Sequence, residues 1–225
     1  MGKHFSLVAS DSFKLGAYRA EPSGTAKGGI VVIQEIFGVN HHIRAVCDRL
    51  AAQGYAAIAP ALFDRQQPDF ESGYSPDEIA NARKFVANPD WGAMMRDTQA
   101  AIDEAKKFGP AAIAGFCMGG TIAFLAASKL NGLSAAIGFY GGQIAKNADQ
   151  QPKIPVQLHF GEKDASIPMS DVEIIKQKRG GDCEIYVYPD AQHGFNCEER
   201  GSYNEAAAKL ARERARAFCE KHMKK

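Results

Sequence analysis

Short apolar runs recur along the chain, and most of them are bounded by glycine, proline or charged residues. Runs of this length that are apolar throughout are typical of strands buried on both faces of a parallel sheet. The pattern predicts strands at residues 13–20, 29–34, 56–59, 111–115, 134–139, 155–160 and 183–188. Segments of helical periodicity separate them, at residues 43–53, 76–86, 91–108, 121–129, 170–178 and 203–221.

The alternation of strands and helices indicates an α/β fold, with a mostly parallel central sheet and helices on both of its faces. Residues 63–75 are more polar, contain Pro68 and Gly73, and predict a loop over an edge of the sheet. No repeat or linker interrupts the pattern, so we expect a single domain over residues 1–225. Ligands of such sheets bind at the carboxyl ends of the strands.

Composition narrows the function classes. A formal net charge of +1 argues against a nucleic acid or an anionic membrane as partner. No run approaches the roughly 18 apolar residues of a membrane span, and the first residues lack the apolar core of a secretory signal. The five cysteines are scattered without a C-x-x-C pair. We therefore expect no metal and no disulfide framework, and a protein of the reducing cytoplasm.

The stretch GFCMGG at residues 115–120 carries the strongest chemical signal. It joins a predicted strand to a predicted helix through a glycine-lined turn with Cys117 at its tip. Small neighbours are needed where a nucleophile is raised on a strained turn above a sheet, and G-x-S-x-G is the serine form of this elbow. A buried cysteine that only fills space is the alternative, but packing does not explain the flanking glycines.

A nucleophile of this kind needs a base and an orienting acid. His193 lies in a loop after the last predicted strand, and Asp164 follows the strand at 155–160. The chain order Cys, Asp, His is that of α/β-hydrolases. A surface histidine and a turn-forming aspartate are the plain alternatives, and Asp190 is a rival acid on the histidine's own loop.

Glu35 ends the buried strand at residues 29–34. A carboxylate in such a place costs several kcal/mol unless it is paired. It is either a structural anchor or a group that controls the protonation of a nearby thiol.

These features together resemble the dienelactone hydrolase (carboxymethylenebutenolidase) family of the α/β-hydrolase fold. The matching residues are QEIFGVN at 34–40, QGYAA at 53–57, GFCMGG at 115–120, Asp164 and His193. The resemblance implies a cofactor-free hydrolase of a small ester or lactone, with Cys117, Asp164 and His193 as its triad. We expect a monomer or a weak homo-oligomer.

The same resemblance assigns further roles. Glu35 would hold Cys117 as a neutral thiol until substrate enters, and the backbone N–H groups of Ile36 and Met118 would form the oxyanion hole. Tyr140 would be a wall of the substrate pocket, or else an ordinary core residue.

One departure concerns the substrate. The family's dienelactone enzymes hold a substrate carboxylate with two arginines, and those positions carry Ile79 and Cys197 here. Arg83, one helical turn from Ile79, could replace the first arginine. Arg65 and Arg200 are further candidates.

The alternatives to a dienelactone hydrolase are a carboxylesterase of other specificity and a hydrolase-like module that binds a small molecule with little turnover. An amidotransferase-like cysteine elbow is disfavoured, because Met118 stands where such proteins place a histidine.

Overall fold

The computed structural model describes residues 2–224, which form eight strands and six α-helices. The strands are β1 (Lys3–Val8), β2 (Lys14–Ala20), β3 (Gly29–Ile33), β4 (Ala56–Pro60), β5 (Ala111–Phe116), β6 (Ala135–Phe139), β7 (Val156–Gly161) and β8 (Cys183–Tyr188). The helices are α1 (His41–Ala52), α2 (Pro76–Ala82), α3 (Trp91–Ala105), α4 (Met118–Lys129), α5 (Met169–Arg179) and α6 (Glu205–His222). The strand order is β1-β2-β4-β3-β5-β6-β7-β8, a mostly parallel sheet with helices on both faces.

The chain divides into two compact units, the first ending at Ile113 and the second beginning at Ala114. In the first unit, β1 and β2 form an antiparallel pair, β2 also pairs antiparallel with β4, and β3 runs parallel to β4. Strands β3 and β4 are buried at every position, as expected of strands covered on both faces. The expectation of a single domain stays a prediction.

In the second unit, β6, β7 and β8 run parallel to one another, and β6 and β7 are buried throughout. Helix α4 is buried from Met118 to Ser128. A helix that is apolar around its whole circumference belongs in a core, which explains why its sequence has no polar stripe.

Four of the helices begin with a side chain that caps their free backbone N–H groups. Asn40, Asp90 and Asn204 accept a hydrogen bond from the first turn of α1, α3 and α6, respectively. Ser75 and Glu78 form a reciprocal capping box at α2, with Pro76 at its first position. Within residues 2–224, no helix is long and apolar enough to cross a membrane.

Every predicted strand and helix exists in the structure, with ends that shift by up to three residues apart from the differences that follow. Strand β1 was not predicted, because its polar and apolar residues alternate at an edge of the sheet where one face stays exposed. The predicted helix at 76–86 is α2 followed by a 3₁₀ turn at Arg83–Val86. The predicted helix at 91–108 likewise ends as a 3₁₀ turn, Lys106–Phe108, before Gly109.

Candidate active site

Cys117 occupies a strained turn between β5 and α4. Its backbone has φ of 55° and ψ of −116°, a left-handed conformation that costs of the order of 1–3 kcal/mol for a residue other than glycine. A side chain at Gly115 would collide with the backbone of Gly119, and one at Gly120 would collide with the carbonyl of Phe139. Gly115 and Gly120 are therefore required by the close approach of backbone on both sides of Cys117.

The start of α4 leaves its first amides available. Cys117 is the N-cap, and among the described residues no side chain caps this helix, unlike α1, α2, α3 and α6. The Cys117 N–H is itself engaged, donating to the Phe139 carbonyl at 3.0 Å. The first N–H groups of a helix lack partners within it and carry its positive dipole end. Met118 is the first residue of α4, so its amide is placed to bind an anion.

Asp164 and His193 are in direct contact. The Nδ1 atom of His193 lies 2.8 Å from Oδ2 of Asp164, while Oδ1 accepts hydrogen bonds from the amides of Ser166 at 2.8 Å and Ile167 at 3.2 Å. The carboxylate is buried, with 4% of the residue exposed. Both of its oxygens are thus committed and its orientation is fixed.

Asp190 is not the partner of His193. Its backbone N–H donates to the Glu162 carboxylate at 3.3 Å, and its φ of 56° marks it as a turn residue. Of the two acids that the sequence offered, Asp164 is the one in contact with His193.

His193 also contacts Cys117, whose side chain forms a hydrogen bond with the imidazole. Burial alone lowers the pKa of His193, but the charges of Cys117 and Asp164 and the hydrogen bonds to both outweigh it. The result is a pKa above the ordinary value of 6.5. An imidazole held between a thiol and a carboxylate can take a proton from sulfur and carry it as a stabilised cation.

The loop carrying His193 is tied down on both sides. The Ser202 hydroxyl donates to the His193 carbonyl at 2.6 Å, and the Lys163 amide donates to the Ala191 carbonyl at 2.9 Å. Gly194 follows with φ of 79°, a conformation that glycine adopts without strain. Ser202 was missed in the sequence, since a serine nine residues from the histidine carries no local signal.

Tyr140 lies against the imidazole. It is fully buried, its ring centroid is 5.1 Å from that of His193, and its φ of 40° makes it a second strained residue near the elbow. It is both a core residue and a neighbour of the site, so the two alternatives offered by the sequence are not exclusive.

In the first unit, Glu35 lies two residues beyond the end of β3 and is 1% exposed. The preceding residue, Gln34, accepts from the Leu62 amide at 3.1 Å and donates to the Glu35 carbonyl at 3.2 Å. This fixes the backbone that leads into Ile36. The roles of Glu35 and Ile36 stay predictions.

The candidate arginines differ in their surroundings. Arg65 forms two hydrogen bonds of 2.8 Å with the buried Asp97 and one of 2.9 Å with Asp11, so it serves as an anchor of the loop rather than as a free cation. Arg83 is exposed at the start of the 3₁₀ turn after α2. The Arg200 guanidinium lies directly over the backbone of Gly194, next to His193.

The sheet, the elbow and the Cys–Asp–His order define a protein of the α/β-hydrolase class. The family model of the dienelactone hydrolase family matches residues 15–223. The chain belongs to that family and is a hydrolase that acts on lactone or ester bonds.

Individual relatives agree with this assignment. The Synechocystis protein named "Putative carboxymethylenebutenolidase" is 37% identical over 236 residues, covering 96% of each chain. The carboxymethylenebutenolidase of Pseudomonas putida is 31% identical over 226 residues, covering 95% of this chain and 94% of its own. The crystal structure of the "Putative Dienelactone Hydrolase" of Klebsiella pneumoniae superimposes with a TM-score of 0.83 at 33% identity, covering 97% of this chain and 98% of that one.

Proposed function

We propose that this hydrolase cleaves a small ester or lactone through a thioester at Cys117, with His193 as the base and Asp164 as its orienting acid. The observation that carries the proposal is the position of the His193 ring. Its Nδ1 atom is held by the buried Asp164 carboxylate, and the Cys117 side chain is its other hydrogen-bonding neighbour. This is the arrangement that nucleophile, base and orienting group require.

The steps follow from these positions. His193 takes the thiol proton through Nε2, the nitrogen not engaged by Asp164, and the sulfur bonds to the substrate carbonyl carbon. The imidazolium then gives its proton to the departing alkoxide oxygen, which leaves a thioester on Cys117. Water attacks the thioester, losing a proton to His193, and the released thiolate recovers that proton as the acid product leaves.

The oxyanion that forms in both the acylation and the hydrolysis of the thioester needs hydrogen-bond donors. The Met118 amide at the start of α4 is proposed as one donor, because the first N–H groups of a helix lack partners within it, and the Ile36 amide is proposed as the second from the family resemblance. Glu35 is proposed to keep the thiol neutral in the free enzyme. A buried carboxylate would disfavour a thiolate close to it by like-charge repulsion.

The test is turnover of p-nitrophenyl acetate by Cys117→Ala and Cys117→Ser. We expect the alanine variant to lose about 10³-fold or more of kcat/KM, because the covalent path is gone, and the serine variant to retain a fraction. Cys183→Ala, at a buried cysteine of β8, is the control and should keep wild-type activity. Unchanged turnover in Cys117→Ala would refute the mechanism, and acylation without release would indicate a binding module.

A further inference from the structure

We propose that a buried histidine of the sheet, His159, acts through Tyr188 to position the loop that carries His193. It would be a positioning residue, because nothing places it against the reacting atoms. The expected effect on activity rests on the proposed function, whereas the positioning of the loop does not.

His159 lies in β7 and is fully buried. Its register partners on the adjacent strands are Phe139 and Tyr186. The His159 ring stacks on Phe139, with centroids 4.6 Å apart and planes 12° apart, and faces Tyr186 and Tyr188 at 5.7 and 5.8 Å. An apolar side chain would fill this aromatic slot equally well, so the polar ring needs another explanation.

The hydrogen bonds of His159 have one consistent direction. Nε2 lies 2.9 Å from Oε1 of Gln157, and the Gln157 amide nitrogen donates to the Glu184 carboxylate at 2.8 Å. Because the carboxylate can only accept, the Gln157 oxygen must face His159, and Nε2 must carry the proton. Nδ1 is then an acceptor, and the Tyr188 hydroxyl donates a hydrogen bond to it at 2.7 Å.

Tyr188 is therefore locked at its far end. Its hydroxyl donates to His159 and also accepts a hydrogen bond from Arg214 of α6, whose guanidinium lies 5.4 Å from the Tyr188 ring centroid. With both the donor and the acceptor sites of the hydroxyl used, the phenol ring has one favoured orientation. A phenylalanine at this position would keep the packing but would lose the hydrogen bonds that fix the orientation of the ring.

The near end of Tyr188 begins the catalytic loop. It is the last residue of β8, and its carbonyl accepts from the Glu162 amide at 3.0 Å and the Ala191 amide at 3.4 Å. Its ring contacts Phe195 at 5.1 Å between centroids. Tyr188 and Phe195 thus bracket the loop on either side of His193.

The contacts continue to the imidazole. Phe195 meets Tyr140 at 5.5 Å, and Tyr140 meets His193 at 5.1 Å between centroids. The Tyr140 amide also donates to the His159 carbonyl at 2.7 Å. His159 therefore holds Tyr140, a neighbour of His193, through its backbone, and Tyr188, at the start of the catalytic loop, through its side chain.

The experiment compares Tyr188→Phe with Tyr186→Phe in the full-length protein. Both remove one phenol hydroxyl from β8, and both rings lie beside Arg214, but only the Tyr188 hydroxyl bonds to His159. The first readout is the pKa of His193, measured by NMR titration of its ring protons. A His193→Gln variant assigns the signals of that ring. The second is the separation of kcat from KM on p-nitrophenyl acetate.

We expect Tyr188→Phe to bring the His193 pKa back toward 6.5 and to lower kcat about tenfold at unchanged KM, since small displacements of a catalytic group are costly. Tyr186→Phe should match the wild type in both readouts. If Tyr188→Phe does not fold, Arg214→Gln removes the other partner of the same hydroxyl and should shift the His193 pKa in the same direction.

A His193 titration in Tyr188→Phe identical to that of the wild type would overturn the inference, whatever the activity. A shifted titration in a protein whose wild type lacks esterase turnover would uphold the positioning role and refute the proposed function. Equal shifts in the two tyrosine variants would show a general loosening of β8 and would also overturn the inference.

Discussion

His159 and His193 lie in the same unit, each packs against aromatic rings of its own, and they differ in their charge behaviour. Burial lowers the pKa of His159 to about 3, with a smaller contribution from the positive charge of Arg214. Burial also opposes protonation of His193, yet the pKa of that residue is raised. The difference lies in the hydrogen-bonding partners of each ring. His193 has a carboxylate and a thiol, whereas His159 has an amide oxygen and a phenol.

The comparison shows that burial alone does not decide the state of a histidine. A low-polarity environment penalises the charged form of both rings, and the charge of Cys117 together with the contact to the Asp164 carboxylate reverses the outcome for His193 only. His159 is consequently a fixed hydrogen-bonding element with one tautomer. His193, in contrast, has partners that stabilise its protonated form, which the proposed role as a base requires.

The substitution that most reduces the difference between the two histidines is Asp164→Asn, which removes the negative charge beside His193. The backbone amides of Ser166 and Ile167 would hold the asparagine oxygen, so that its NH₂ group faces Nδ1 of His193. The imidazole would then carry its proton on Nε2 and could not accept one from Cys117. We expect kcat/KM to fall by about 10³–10⁴-fold, measured by steady-state ester hydrolysis.

The matched control for that change is Asp190→Asn, on the same loop as His193. The Asp190 carboxylate does not pair with the imidazole, so activity should stay within twofold or so of wild type. A comparable loss in both variants would mean that the loop tolerates no change of charge and that the contact with Asp164 is not special.

A smaller effect, on stability, tests the other histidine. The pKa of His159 is lower in the folded protein than the 6.5 of an ordinary histidine, so its stabilising contribution is complete above pH 6.5 and is lost as pH falls toward 3. This dependence amounts to about 1.4 kcal/mol per pH unit within that window. Urea unfolding of wild type and His159→Gln between pH 7 and pH 4 should show a shallower decline in the variant.

The control for this measurement is Tyr188→Phe, which loses a hydrogen bond to His159 but keeps the histidine. Its free energy of unfolding should be lower at every pH, by about 1–3 kcal/mol for a buried partner left unsatisfied, while the steep dependence on pH remains. Parallel curves for wild type and His159→Gln would show that His159 is not buried in its neutral form.

The sequence predicted the parts of the site that local sterics dictate. Gly115 and Gly120 mark the elbow because they lie beside Cys117 in the chain and close backbone contacts leave no room for a side chain at either position. The pairing of Asp164 with His193 followed from strand ends meeting at one edge of a parallel sheet. The choice against Asp190 needed the actual distances.

Contacts between distant segments were beyond the sequence. Arg65 reads as a possible substrate-binding cation until its partner Asp97, 32 residues away, is seen to be buried beneath it. The sequence placed His159 in the sheet but could not supply its bond to Tyr188, since that depends on the register of β7 against β8. Strand β1 was missed because a short edge strand lacks the continuous apolar run of a buried one.

The most direct test of the central claim is to trap the acyl group during turnover. Wild-type protein mixed with p-nitrophenyl acetate and quenched in acid within milliseconds would be digested and analysed by mass spectrometry. The account predicts one acetyl group on the peptide that contains Cys117, removable by hydroxylamine as a thioester is, and absent from Cys117→Ala. Steady turnover with no acetyl group on that peptide, or with the label on another residue, would contradict it.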